Sequence, residues 1–282
     1  MESVVSQKPA APSGKPLLRV GLFGLGTVGR VVARALHEGI DGLSLHAVAA
    51  RDQDRARGFL QSVGADAQIL DAQAMAECCD VIVECAPAAV FRTIALAAIG
   101  QQRIFMPLSV GGLLTHDDLI EQARQCGARI IVPTGALLGL DAVRAAAEGT
   151  INAVRVVTRK PPGGLAGAPY LREHNIELEG LTEPLCLYKG MARAGVAGFP
   201  ANVNVIAALS LAGIGPDRTE LEIWADPTIT RNTHQILLDA DSARLSMMIE
   251  NIPSANAATG RITALSTFAC LRALTASFKV GT

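Results

Sequence analysis

The chain has 282 residues, half of them apolar, with a formal net charge of −1. At roughly 150 residues per domain this length predicts two domains, and no uninterrupted apolar run reaches the ~18 residues a membrane helix needs. Lys and Arg are scattered and aromatic residues make up only 4% of the chain, which excludes a basic stripe for phosphate backbones and a stacking platform for single strands.

Residues 1–16 are rich in Ser, Pro, Ala and Lys and lack the apolar middle of a signal peptide. They read as a flexible tail, and the cytoplasm is the expected location. From Leu18 the chain alternates strand and helix. Leu18–Phe23 is a short apolar run ending in glycines. Thr27–Glu38 has helical spacing at Val28, Val31, Val32, Ala35 and Leu36, and Leu43–Ala49 is a second strand. The pattern continues with a helix at Asp54–Val63, a strand at Gln68–Leu70, a helical turn at Asp71–Glu77 and a strand at Val81–Cys85. A helix at Ala88–Ile99, a strand at Ile104–Leu108, a helix at Asp117–Cys126 and a strand at Arg129–Val132 complete it. Such alternation predicts an α/β domain with a Rossmann-type, doubly wound parallel sheet.

The rhythm changes near Gly139. Ala153–Thr158, Leu185–Lys189 and Glu220–Ala225 read as longer strands, the last with Leu221, Ile223 and Ala225 on one face. Ala201–Leu211 and Ala264–Ala276 are apolar helix candidates. A second, α+β catalytic domain is predicted. The expected boundaries are 17–138 for the first domain and 139–255 for the second, with the C-terminal helix within 256–282 packing back on the first.

The first strand and first helix are joined by Gly24-Leu25-Gly26-Thr27-Val28-Gly29. A GxGxxG between a buried strand and an amphipathic helix is the signature of a dinucleotide phosphate loop. The first glycine permits the tight turn, the second leaves room for the pyrophosphate, and the third lets the helix approach the strand. The free N–H groups of the helix N-terminus then face the phosphates. Gly24, Gly26, Thr27, Val28 and Gly29 are the predicted contacts. The second strand ends in Ala49-Ala50-Arg51-Asp52, without an acid at the position that usually holds the ribose diol. Arg51 suits a 2′-phosphate or the adenine face, while Asp52 remains within reach of the ribose, so NAD and NADP both stay open. At the later strand ends, Cys85-Ala86-Pro87-Ala88, Ser109-Val110-Gly111-Gly112 and Pro133-Thr134-Gly135-Ala136 are small enough to leave room for the nicotinamide. Ala86, Ser109 and Ala136 are candidates there.

Six cysteines show no CxxC pair and no zinc spacing. They read as reduced thiols, and no metal is expected. The polar segments of the second half are Thr158–Gly164, Phe199–Asn204, Ala225–Pro227 with Arg231–His234, and Glu250–Ser254. Of the five histidines, His234 alone lies in a dense polar motif of that half.

The pieces Pro133-Thr134-Gly135-Ala136-Leu137-Leu138-Gly139-Leu140-Asp141, Thr158-Arg159-Lys160-Pro161-Pro162, Phe199-Pro200-Ala201-Asn202-Val203-Asn204-Val205, Ala225-Asp226-Pro227 and Arg231-Asn232-Thr233-His234 occur in an order that resembles the L-aspartate dehydrogenase family, over Leu18 to Ala276. The resemblance implies oxidative deamination of L-aspartate to oxaloacetate and ammonia through iminoaspartate. It also implies cofactor contacts at Ala136 and Asn202 and a catalytic histidine at His234. An imidazole with a pKa near neutrality suits both proton steps of that reaction. Two substrate carboxylates need donors, for which Arg159, Lys160, Arg231 and Asn232 are the candidates. Reductases of the dihydrodipicolinate or homoserine dehydrogenase type, and a non-catalytic NAD(P)-sensing protein, are the alternatives. A homodimer is expected, with a small molecule as the only other partner.

Overall fold

The computed structural model describes residues 17–200, 204–252 and 260–281. The tail expected at residues 1–16, and Asn202, lie outside the described residues. The first half runs β1 (Leu18–Phe23), α1 (Thr27–Gly39), β2 (Leu43–Ala49), α2 (Gln53–Val63), β3 (Gln68–Ile69), α3 (Ala72–Cys78), β4 (Val81–Glu84), α4 (Phe91–Gly100), β5 (Ile104–Pro107), α5 (Gly111–Thr115), α6 (Asp118–Cys126) and β6 (Arg129–Ile130). The second half runs α7 (Leu140–Ala147), β7 (Ile151–Lys160), α8 (Pro169–Glu173), β8 (Leu185–Met191), α9 (Ala192–Gly198), α10 (Asn204–Ala212), β9 (Thr219–Ala225), β10 (Asn232–Ala240), β11 (Arg244–Asn251) and α11 (Ile262–Thr275).

The first six strands form one parallel sheet in the order β3-β2-β1-β4-β5-β6. Its central strands are buried on both faces, as the residues of β4 are throughout, which explains their unbroken apolar runs. Chain direction across the sheet reverses between β1 and β4, and the crevice above that switch point is where ligands of such sheets sit. The remaining strands form a mixed sheet in the order β11-β10-β7-β9-β8, with β7 and β9 parallel and the other pairs antiparallel. The inner face of this sheet carries Val154, Val156, Leu221, Ile223, Ile236 and Leu238. It packs against Val196 of α9 and Ile206 and Leu209 of α10, in a buried cluster that continues through Leu113 of α5 to Phe105 of the first sheet. The two sheets are thereby joined through one continuous core. Leu271 of α11 is buried with Val32, Ala33 and Leu36 of α1, and the Thr275 hydroxyl donates to the Asp41 carbonyl at 2.7 Å.

Most elements of the first half form within a residue or two of their expected places. Helices α5, α7, α8 and α9 and strands β10 and β11 have no counterpart among the expectations. Strand β10 opens on Asn232-Thr233-His234-Gln235, and four polar residues in succession hide the period of two that places Asn232, His234, Ile236 and Leu238 on the buried side.

Candidate active site

Two adjoining cavities lie over the carboxyl ends of the parallel strands. The larger, about 1180 Å³, is lined by Gly24, Gly26, Thr27, Val28, Arg51, Ala86 and Ser109 among others. The smaller, about 90 Å³, is lined by Thr134, Ala136, Lys160, Asn232, His234 and Asn251 among others. Leu108, Asn204 and Thr263 line both, so the smaller chamber opens onto the larger cleft.

The larger cleft fits a dinucleotide. Gly24 has φ +103, and a Cβ there would lie 2.5 Å from the Cys85 carbonyl oxygen. A Cβ at Gly26 would meet no atom within 4 Å, so any larger side chain would project into open cleft space. No side chain caps α1, and no acid lies in its first turn, which leaves its N–H groups and positive dipole end for an anion. Gly29 is buried beneath the loop rather than on the cleft wall, where a Cβ would strike the Gly24 carbonyl. Its place is therefore structural, under the phosphate loop.

The loops at the ends of β4 and β5 are locked together by Glu84, which is fully buried. Its Oε1 accepts the Ala86 N–H at 2.7 Å and the Ser109 hydroxyl at 3.0 Å, and its Oε2 accepts the Ser109 N–H at 3.0 Å. Burial pushes this carboxyl above its ordinary range, against the hydrogen bonds from Ser109 and Ala86. The Ser109 hydroxyl, expected to face a ligand, also donates to the Ala86 carbonyl at 3.1 Å and so belongs to this clamp. Across the crevice, the Gly111 N–H donates to Asn204 Oδ1 at 3.1 Å. The Asn251 side chain donates to the Ala136 carbonyl at 2.9 Å, and the Gly135 N–H donates to the Ser266 hydroxyl at 3.0 Å. The loop bearing Ala136 is thus pinned from β11 and from α11.

Alternation along β7 and β10 decides which polar residues enter the smaller chamber. Thr158 stands opposite His234 in the antiparallel ladder, and Asn232 stands opposite Asn251. Thr158, Lys160, Asn232, His234 and Asn251 are all buried on this face. The His234 Nδ1 lies 3.1 Å from the Thr158 hydroxyl, which leaves Nε2 as the ring nitrogen available to a ligand. Burial, with the nearby Lys160 charge, pushes the His234 pKa down to about 3. The expectation of a near-neutral pKa is corrected on that ground: an enclosed imidazole beside a cation stays neutral. Burial lowers the Lys160 ammonium to about 8, so it remains a cation at neutral pH.

Two of the four carboxylate candidates are corrected. Arg159 points to the opposite side of β7, where it pairs with Asp226 at 3.3 Å and lies 4.7 Å from the centre of the Trp224 ring. Arg231 is exposed and lies 3.7 Å from Glu250. Neither lines either cavity. The physical reason is the two-residue repeat of a strand, which turns the neighbours of Lys160 and Asn232 away from the chamber. Asn202 lies outside the described residues. Of the five histidines, only His234 lines either cavity. His116 stacks on Phe91 and His174 on Tyr170, and among the described residues no group of side chains has the makings of a metal site. Glu84, Thr158 and Asn204 had no place among the candidate residues. Glu84 lies inside the expected strand Val81–Cys85, where nothing marks it as a clamp for neighbouring loops, while Thr158 becomes visible only when it is paired across to His234.

A parallel nucleotide-binding sheet, joined to a mixed sheet that brings a buried histidine and lysine to the mouth of the cleft, defines a nicotinamide-dependent oxidoreductase. Residues 24–133 match the family described as homoserine dehydrogenase, NAD binding domain, and residues 141–274 match aspartate dehydrogenase, C-terminal. The chain belongs to the L-aspartate dehydrogenase family. It is 53% identical over 265 residues to L-aspartate dehydrogenase of Bradyrhizobium diazoefficiens, covering 94% of each chain. It is 49% identical over 271 residues to L-aspartate dehydrogenase 3 of Bordetella bronchiseptica, covering 96% of this chain and 100% of that one. The fold is also that of aspartate dehydrogenase from Thermotoga maritima, with a TM-score of 0.70 at 19% identity over 94% of this chain and 99% of that one.

The buried imidazole has a measurable signature in stability. Between pH 6.5 and about 3 the unfolded chain protonates His234 while the folded chain does not. The unfolded state therefore binds more protons, and stability falls as pH drops through this window. His234→Gln is expected to flatten the curve of urea midpoint against pH between 6.5 and 4. A slope equal to that of the wild type would show that His234 is not held neutral by the fold.

Proposed function

We propose that this chain catalyses the NAD(P)-dependent oxidative deamination of L-aspartate, giving iminoaspartate and then oxaloacetate and ammonia. The observation that carries this reading is the shared wall of the two cavities. A neutral imidazole and a buried ammonium occupy a small chamber that opens onto the nucleotide cleft through Leu108, Asn204 and Thr263. The family relationship supplies the substrate, and the chamber supplies groups suited to it.

Gly24, Gly26, Thr27 and Val28 would hold the pyrophosphate, and the loops bearing Ala86 and Ala136, with Asn202, the nicotinamide half. The bound nicotinamide supplies the hydride acceptor. Lys160 offers a fixed positive charge to one substrate carboxylate, and Asn232 offers its amide beside it. His234, unprotonated at physiological pH, accepts a proton from the substrate ammonium through Nε2, releases it to solvent, and then takes the proton lost as water adds to the iminium carbon. The two substrate carboxylates beside His234 and Lys160 raise the affinity of the imidazole for that proton, so the base strengthens once aspartate is bound. The Thr158 hydroxyl holds the ring in place through Nδ1. The division of labour follows the boundary at 138/139, with α11 assigned to the nucleotide half.

A homodimer through the outer face of the mixed sheet is part of the proposal, because Leu237 and Met248 are exposed there, Met248 at 60%. A cytoplasmic location accords with six free thiols. Light scattering and cell fractionation test the two, and a monomer or an exported protein would count against them.

His234→Ala is expected to keep its dissociation constant for the reduced cofactor while turnover of L-aspartate falls by about 10²–10⁴-fold. Near-normal turnover would remove His234 from the chemistry. For Lys160 the probe is succinate, a dicarboxylate without an amine. Its affinity is expected to fall as pH rises through about 8, where the ammonium loses its proton. In Lys160→Gln, binding is expected to be at least about tenfold weaker and indifferent to pH in that range. Inhibition by succinate that is equally strong in the variant would assign the carboxylate to another residue.

A further inference from the structure

Beyond the glycine loop, the nucleotide cleft ends against the turn from β2 into α2. Arg30, Arg51, Asp52, Arg55 and Asp71 are the charged residues lining this end, three cations against two anions. Both anions also serve as helix caps. Asp52 caps α2, accepting the Arg55 N–H at 3.0 Å, and Asp71 caps α3, accepting the Ala74 N–H at 2.9 Å. The position directly after β2, from which an acid would hold a ribose diol and repel a phosphate, is Ala50.

The cations divide differently. Arg30 donates through Nε to the Leu25 carbonyl at 3.0 Å and lies 5.5 Å from the centre of the Phe59 ring, so it is held against the protein. Arg57, one turn into α2, pairs with Asp54 at 2.6 Å. Arg51 and Arg55 are both exposed, and among the described residues neither guanidinium has a carboxylate partner. Two guanidiniums of this kind at one end of the cleft suit a phosphate dianion.

We propose that Arg51, supported by Arg55, takes the 2′-phosphate of NADP(H), and that the chain binds NADP(H) in preference to NAD(H). This rests on the dinucleotide reading above and chooses between the two forms of the cofactor. The guanidinium plane matches phosphate geometry in a way a lysine ammonium does not, and Ala50 in place of an acid directly after β2 removes one source of repulsion to the extra phosphate, Asp52 and Asp71 being the anions of this end.

The test uses fragments that carry the adenosine end alone, so that turnover plays no part. Titration calorimetry of the full chain with 2′,5′-ADP and with 5′-AMP is expected to show the former binding about tenfold or more tightly, in line with charge-assisted hydrogen bonds. The ratio of the two dissociation constants should shrink as salt is raised. Arg51→Ala is expected to bring the ratio close to one, Arg51→Lys to leave it intermediate, and Ala50→Asp to lower it by restoring an acid beside the ribose. NADPH and NADH, followed by nicotinamide fluorescence, should rank in the same order. Equal affinities in the wild type, or a ratio untouched by Arg51→Ala, overturn the proposal. Failure of both fragments and both intact dinucleotides to bind would sink the dinucleotide reading itself, a result distinct from equal binding.

Discussion

Thr158 stands opposite His234 in the ladder between β7 and β10, and the whole candidate site depends on that registration. Because side chains of a strand alternate, a slip of one residue would turn Lys160, Asn232 and His234 to the outer face and bring Arg159 and Thr233 inward. The register is fixed by the apolar residues further along the same strands. Val154, Val156, Ile236 and Leu238 must face the helices that cover the sheet, and the polar ends of β7 and β10 follow their alternation into the chamber. Burial of the core thus aims the chemistry without any separate device.

The chamber holds an unusual electrostatic balance. A cation and a neutral imidazole are enclosed together, and each suffers from enclosure: Lys160 gives up its proton more readily than in water, and His234 resists gaining one. Both shifts have burial as their first cause, and both are relieved by the same event. Carboxylates placed beside them would stabilise the ammonium and make protonation of the imidazole less costly. A carboxylate clamp in this chamber would rest on Lys160 and Asn232 rather than on two arginines. Arg159 and Arg231, which a residue-type argument favours for that purpose, serve the sheet surface.

The first half of the fold was legible because its strands are buried on both faces and its turns are marked by glycine. Leu18–Phe23 and Leu43–Ala49 form over the very residues expected, and the loop Gly24–Gly29 sits at the switch point of the sheet. The second half was legible only in part. Strand Thr219–Ala225 shows its alternation openly, but in Asn232–Ala240 the buried face is polar at one end and apolar at the other, so no single hydropathy period describes it. Lys160, Asn232 and His234 could be read as candidates by residue type and neighbourhood, yet type alone could not tell Lys160 from Arg159. That choice depends on strand parity, which requires the strand to be placed to within one residue. Glu84 was hidden for a different reason. Within the expected strand Val81–Cys85 it is a lone acid, and nothing local reveals that two backbone N–H groups and a hydroxyl converge on it.

The two ends of the cleft are governed by separate parts of the chain. Selection between dinucleotides falls to the turn after β2, through exposed guanidiniums whose contribution is sensitive to salt and to single substitutions. Selection of substrate falls to the enclosed face of β7 and β10, where each polar group is fixed by register and a change is felt through the core. Between them lies the clamp of Glu84, which holds the ends of β4 and β5 together by three hydrogen bonds and makes the floor of the cleft rigid. A rigid floor keeps an adjustment at one end from disturbing distances at the other, so energetic effects of changes at the two ends should add.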